Sequence, residues 1–335
     1  MKQLLAAISI MALPFSLIAQ FVYTNLKIDY LESQASVAAY SFENLRLYPV
    51  RAKQGFINHF AGTGKYMLLK TAIEKNKIRI TEKSNSGEGN SLIVENVSND
   101  TIIIISGDII KGGKQDRVIN QDILLAPRSG KKNLPVFCVE SGRWSTGDRA
   151  VLSNKRNNTT GLVKYTTPVQ FNTYYNKASV SLRKVVDKEK DQGKVWDKVE
   201  ELNIVNNTQT ETKTYTAMTN SAAFNKKLGN YLAFFTNKFT NDKEVTGVVV
   251  VSGNKVLGCD MFARHELFLL QFESLLYSYA TEAIINGKPV TISTAAVKSY
   301  TYKLMTDEKV QETTIKAKGS SFVEKGKKLR VSSFD

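Results

Sequence analysis

Gly107-Asp108-Ile109-Ile110-Lys111-Gly112-Gly113-Lys114-Gln115-Asp116-Arg117-Val118-Ile119-Asn120 is the stretch from which the fold is read, together with Pro135-Val136-Phe137-Cys138-Val139-Glu140-Ser141-Gly142-Arg143-Trp144. Its apolar, β-branched pairs are strand chemistry, and its glycines fall where a turn or a bulge is needed. Carboxylates, an amide and cations crowd between the apolar runs. The reading is therefore a set of neighbouring strands whose ends carry an unusual density of polar groups.

Working outward, residues 78–81, 91–95, 101–105, 119–126 and 134–140 are β-rich runs separated by polar, turn-forming segments. The runs at 91–95 and 101–105 flank a short polar turn, which predicts an antiparallel hairpin. Residues 66–74 instead place Met67, Leu68, Thr71 and Ala72 at helical spacing. Residues 84–90 and 154–160 are loop chemistry.

Downstream the period changes. Residues 180–203 carry Val195, Val199 and Leu202 at helical spacing beside Trp196, and residues 221–239 align Phe224, Leu228, Leu232 and Phe235 in one stripe. A strand at 246–252, a Gly253-Asn254 turn and a strand at 255–258 precede a long helix at 267–285. Asp260 reads as the N-cap or a turn residue before that helix, and Tyr279 and Glu282 as packing and surface positions on it. Runs near 299–304 and 321–331 are β-rich. This order predicts an α+β fold, mainly antiparallel β-sheet with several helices, including a long helix near the C-terminus.

The two quoted segments, with Glu43-Asn44-Leu45 and Pro49, Val195-Trp196, and Gly247 through Asp260-Met261-Phe262 to Ser278-Tyr279 and Glu282-Ala283, carry a resemblance. In that order they resemble the ARG and rhodanese-phosphatase-superfamily-associated protein family, named for neighbouring genes of ADP-ribose metabolism. The resemblance implies an ADP-ribose-like or other phosphorylated ligand as the partner.

With 335 residues, 42% hydrophobic and 23% charged, the chain has the composition of a globular protein with a sizeable core. Lys2 followed by the apolar run 4–18 and Ala19 has the pattern of a signal peptide, and the run is short for a membrane span. The expected organisation is a signal peptide at 1–19 and one α+β domain at 20–335, with a variable Lys- and Asn-rich region around 150–220. The expected location is periplasmic or extracellular, with no transmembrane domain in the mature protein. The formal net charge is +15, and removal of Lys2 with the signal leaves 15 − 1 = +14. Such an excess favours anionic partners. Its cations, including Arg183-Lys184 and Lys327-Lys328, are scattered and read as solvated surface, without the basic stripe of a nucleic-acid binder.

Cys138 and Cys259 read as buried free thiols, with a disulfide as the alternative. His59 and His265 lack zinc-ligand spacing, so neither metal nor cofactor is expected. There is no Gly-x-Ser-x-Gly elbow, and Gly112-Gly113-Lys114 lacks the spacing of a nucleotide P-loop.

Two readings of the quoted segments remain open. In the first, Gly112 and Gly113 turn backbone N–H groups toward an anion, and Lys114, Arg117 and Arg143 add charge. Gln115 and Asn120 orient the ligand, while Asp108, Asp116 and Glu140 supply acid–base carboxylates. In the second, Arg117 or Arg143 pairs internally with Glu140 or Asp116, the glycines form a bulge and Trp144 caps the core. The function is accordingly either recognition or processing of a phosphorylated ligand, or a non-enzymatic envelope or surface interaction module.

Overall fold

Four consecutive isoleucines at 102–105 have no polar face, and both of their faces are buried. Successive strand side chains point to opposite sides, so Ile102 and Ile104 enter one apolar core while Ile103 and Ile105 enter another. The same division separates Ile110 from Ile109, Ile119 from Val118 and Val136 from Phe137. These relations come from a computed structural model that describes residues 20–83, 89–145, 150–153, 160–163 and 170–335. The predicted signal peptide, most of the predicted loops at 84–90 and 154–160, and the Trp144 side chain lie outside the described residues.

The smaller core fills a six-stranded antiparallel sheet ordered Phe171–Lys177, Asp108–Gly112, Arg117–Ile119, Lys132–Cys138, Ser91–Asn96, Ile78–Glu82. This sheet curls until its outer strands meet, with an antiparallel bridge between Thr81 and Gln170. Leu69, Ala72 and Ile73 of the helix Leu69–Glu74 belong to the core within this closed sheet. A small sheet of Ile123–Leu125, Ile102–Ile104 and Met67–Leu68 also adds to it.

The larger core lies under an antiparallel sheet ordered Leu26–Ile28, Leu45–Ala52, Val245–Ser252, Lys255–Phe262, Lys327–Phe334, Gly319–Glu324, with Ser41–Phe42 paired to the second strand. It unites the two ends of the chain, and the closed sheet is inserted between them. The 22-residue helix His265–Asn286 touches both Val245–Ser252 of the large sheet and Phe171–Lys177 of the closed one. A helix sandwiched in this way must be apolar around most of its circumference. Leu267, Phe268, Leu275, Leu276 and Ala280 are buried accordingly.

The α+β prediction and the long helix agree with this architecture, but several local expectations do not. Runs 91–95 and 101–105 do not form a hairpin. Asn96 Nδ2 donates to Leu125 O at 3.2 Å and Ala126 O at 2.9 Å, and its Oδ1 accepts from Ser98 N at 2.9 Å, so the chain turns out of the sheet. Ile102–Ile104 then pairs antiparallel with Ile123–Leu125 and parallel with Met67–Leu68. The expected strand at 119–126 is consequently split, and helical spacing at 66–74 holds only from Leu69.

Residues 299–304 lie in the helix Thr294–Met305 rather than a strand. Its Ser293 N-cap accepts from Ala296 N, and Val297, Thr301, Leu304 and Met305 form its buried side. β-Branched and aromatic residues favoured the wrong element because packing overrides propensity. Residues 180–203 form two helices, Val180–Lys188 and Gln192–Val205, the second capped by Asp191.

Candidate functional site

Two positive-φ glycines, Gly112 at 123° and Gly113 at 53°, begin the site. A Cβ on Gly112 would stand 2.4 Å from Gln170 O, and one on Gly113 would stand 2.2 Å from the Phe171 ring. The glycines therefore admit the neighbouring strand against the loop. The loop N–H groups meet acceptors of the same chain, two of them carboxylates. Gly112 N donates to Asp116 Oδ1 at 3.2 Å and Lys114 N to Glu82 Oε1 at 2.8 Å, while Gly113 N donates to Gln170 O.

Arg143 closes the cluster. Its Nη2 lies 2.6 Å from Glu140 Oε2 and 3.3 Å from Asp116 Oδ1, and its Nη1 donates to Gly113 O at 3.0 Å. Asp116 Oδ2 also accepts from the hydroxyls of Thr214 and Thr216 at 3.1 and 3.3 Å. Glu140 accepts from Asp116 N and forms a backbone bridge with Thr214. Burial, reinforced by the Glu140 charge, raises the Asp116 carboxyl above the ordinary Asp value despite the pull of Arg143.

Arg117 is fully buried. Its Nη1 donates to Gln115 O at 2.6 Å, its Nη2 lies 3.4 Å from Glu82 Oε1, and its guanidinium stands 5.8 Å from the centre of the Phe171 ring. Thus Gly112, Gly113, Lys114, Gln115, Asp116, Arg117, Glu140 and Arg143 come together. Gln115 Oε1 and Arg117 Nε are buried without hydrogen-bond partners among the described residues.

Asp108 and Asn120 go elsewhere. Asp108 Oδ1 accepts from Lys177 Nζ at 2.6 Å and from the Tyr174 hydroxyl at 3.2 Å. Burial lowers the Lys177 ammonium below the ordinary Lys value, with Asp108 opposing. Asn120 is half-buried, and its backbone N–H donates to Pro135 O.

A second charged network joins the large sheet to the closed one. Asp260 is central in the strand Lys255–Phe262, fully buried, and is neither an N-cap nor a turn residue; Arg264 occupies the N-cap of the following helix. Arg183 Nη2 lies 2.9 Å from Asp260 Oδ1, Arg330 Nη2 lies 3.2 Å from it, and the Tyr279 hydroxyl donates to Oδ2 at 2.7 Å. Burial alone would raise this carboxyl, but Arg183 and Arg330 more than reverse that and hold it below the usual range. Arg330 Nη1 also reaches Asp122 Oδ2 at 2.8 Å. Nearby, Asp187 accepts from Ser106 and Ser320 hydroxyls, and burial raises its carboxyl against the opposing Arg330 charge.

Arg183 is thus a core residue rather than solvated surface, and Glu282 is buried and accepts from Ser181 N. Glu82, Thr214, Thr216, Asp122, Lys177, Arg183 and Arg330 are the partners that the sequence reading missed. A lone charge between apolar residues, as in Leu329-Arg330-Val331, is the signal that marks one of these positions, and Cys259-Asp260-Met261 carries the same signal.

Both thiols are free and buried. Among the described residues, no cluster of three or more His, Cys, Asp or Glu side chains is arranged to hold a metal, and no helix is long and apolar enough to cross a membrane.

A closed antiparallel sheet inserted into a larger one, with buried ion pairs at the signature and at the junction, defines an α+β protein of distinctive sequence signature. The sequence profile of the ARG and Rhodanese-Phosphatase-superfamily-associated Protein domain matches residues 35–334, and the chain belongs to that family. No curated protein and no solved structure matches the chain.

Proposed function

We propose that the chain is an exported, non-enzymatic interaction module whose signature is an internal framework, and that its excess positive charge serves an anionic envelope or surface partner. The observation that carries this reading is the occupancy of the glycine loop: its N–H groups already hold Asp116 and Glu82, and Arg143 already bridges Glu140 and Asp116. A loop that cradles carboxylates of its own chain has the form of an anion site with the anion built in.

A second reading, recognition or processing of an ADP-ribose-like ligand, draws on one specific feature. Asp116 keeps a raised carboxyl beside Glu140, the kind of environment acid–base sites use, and Gln115 Oε1 and Arg117 Nε have no partners in the same cluster.

Thermal melts separate the two. On the first reading ADP-ribose and simple phosphorylated sugars leave the parent melting temperature unchanged, and Arg143→Ala lowers it sharply. A ligand-dependent rise in the parent that disappears in Arg143→Ala overturns it. The export component has its own check: intact-mass analysis of native protein finds residues 1 to about 19 absent if the signal is cleaved, and a retained Met1 refutes this.

A further inference from the structure

A recess of about 50 Å³ opens between the strand Phe171–Lys177 and the long helix. It is lined by Asp108, Tyr174, Asn176, Gln271, Glu273 and Ser274, with Lys70, Leu68 and Leu270 completing it. Its volume holds a few water-sized groups, since one needs roughly 10–15 Å³ on this measure.

Two side chains in this lining, each more than nine-tenths buried, have hydrogen-bonding capacity without a partner. Gln271 is 2% exposed, and its side-chain amide makes no hydrogen bond among the described residues. Asp108 is 4% exposed; its Oδ1 takes both the Lys177 and the Tyr174 hydrogen bonds, leaving Oδ2 free of protein donors among the described residues. These atoms open onto the recess, where a polar partner, water or ligand, can meet them.

The charge of the recess selects the class of that occupant. Lys177 Nζ at 2.6 Å answers Asp108, and Lys70 Nζ at 3.3 Å answers Glu273, so the walls offer an ion no net charge. What remains is an acceptor oxygen beside an amide that both donates and accepts, which suits adjacent hydroxyl groups. Leu68 and the 43%-exposed Leu270 supply an apolar edge for C–H groups.

We propose that this recess receives the hydroxyl-bearing edge of a neutral sugar or polyol, with Asp108 Oδ2 accepting from one hydroxyl and the Gln271 amide engaging the next. The small volume admits one edge of such a ligand, and so few contacts correspond to millimolar affinity. The inference is independent of the role assigned to the glycine loop.

Saturation-transfer NMR on the full chain tests it with D-ribose, D-glucose, methyl β-D-glucoside and, as an anionic control, gluconate. Neutral polyols are expected to bind, with gluconate weaker. Gln271→Leu is expected to weaken binding about five- to tenfold, the scale of lost hydrogen bonds. Leu270→Ser, at an exposed position, keeps the fold and weakens binding by removal of the apolar edge. Preference for the methyl glucoside over free glucose marks a glycan terminus as the source, and the reverse marks a free sugar. Absence of signal from every neutral probe, preference for gluconate, or equal signal in parent and both variants with unchanged melting overturns the proposal.

Discussion

Gly107 and Arg183 occupy space that only a glycine permits them to share. A Cβ on Gly107 would stand 2.9 Å from Arg183 Cγ, and the glycine backbone has φ of 87°. The arginine stem crosses this bare backbone to reach Asp260, so the first residue of the signature serves a charge pair far from it in sequence.

Gly107→Ala therefore combines backbone strain with a steric clash and should cost about 1–3 kcal/mol. Urea unfolding of Gly107→Ala, Arg183→Ala and the double variant reads the coupling. If the two losses simply add, the proposed interference between these residues is wrong.

Arg330 spans the junction between the two sheets by holding both Asp122 and Asp260. Arg330→Met strands the Asp122 carboxylate and leaves Asp260 with Arg183 as its one remaining cation, and should destabilise the protein by about 3–5 kcal/mol. Combining it with Asp122→Leu should recover part of that loss, because one stranded charge is removed. No recovery in denaturant melts would argue against this pairing.

The pH dependence of stability follows from the raised carboxyl of Asp187. Its folded pKa lies above the unfolded value of about 3.9, so the folded state holds the proton more tightly. The contribution is fully present below about pH 4 and is lost as pH rises through the folded pKa. Asp116 has a shift of the same sign, and Asp260, held low, has the opposite one. Asp187→Asn should flatten the decline in urea midpoint on the alkaline side of the ordinary carboxylate range; an unchanged slope contradicts the assignment.

Cys138 and Cys259 are 3% and 0% exposed, and burial pushes both thiols up. Both should resist iodoacetamide in the native protein and react after denaturation. Rapid native labelling at either position, seen by peptide mapping, contradicts that burial.

Legibility in the sequence followed the range of the interaction. The long helix was readable because its apolar composition extends over many turns, and the strands around Gly253-Asn254 because a local turn sets them. The pairing of Arg143 with Glu140, three residues away, was among the readings for the same reason. Glu82 was not, because it reaches Arg117 only after the closed sheet has brought distant strands together. Asp260 failed as an N-cap because its local surroundings say nothing of Arg183 and Arg330, which decide its role. The hairpin expectation failed on the hydrogen bonds of one side chain, Asn96.

The placement of the closed sheet between the two halves of the large one has a consequence for the order of folding. Every strand of the closed sheet lies within residues 78–177, so its pairings become possible while the rest of the chain is still emerging. Leu45–Ala52, made earlier, must wait for its neighbour Val245–Ser252 with one long edge unmatched. Pairings over such separations form slowly, and an unsatisfied strand is prone to wrong partners in the interval. Leu45–Ala52 is thus the segment most in need of protection before its partner strand is made.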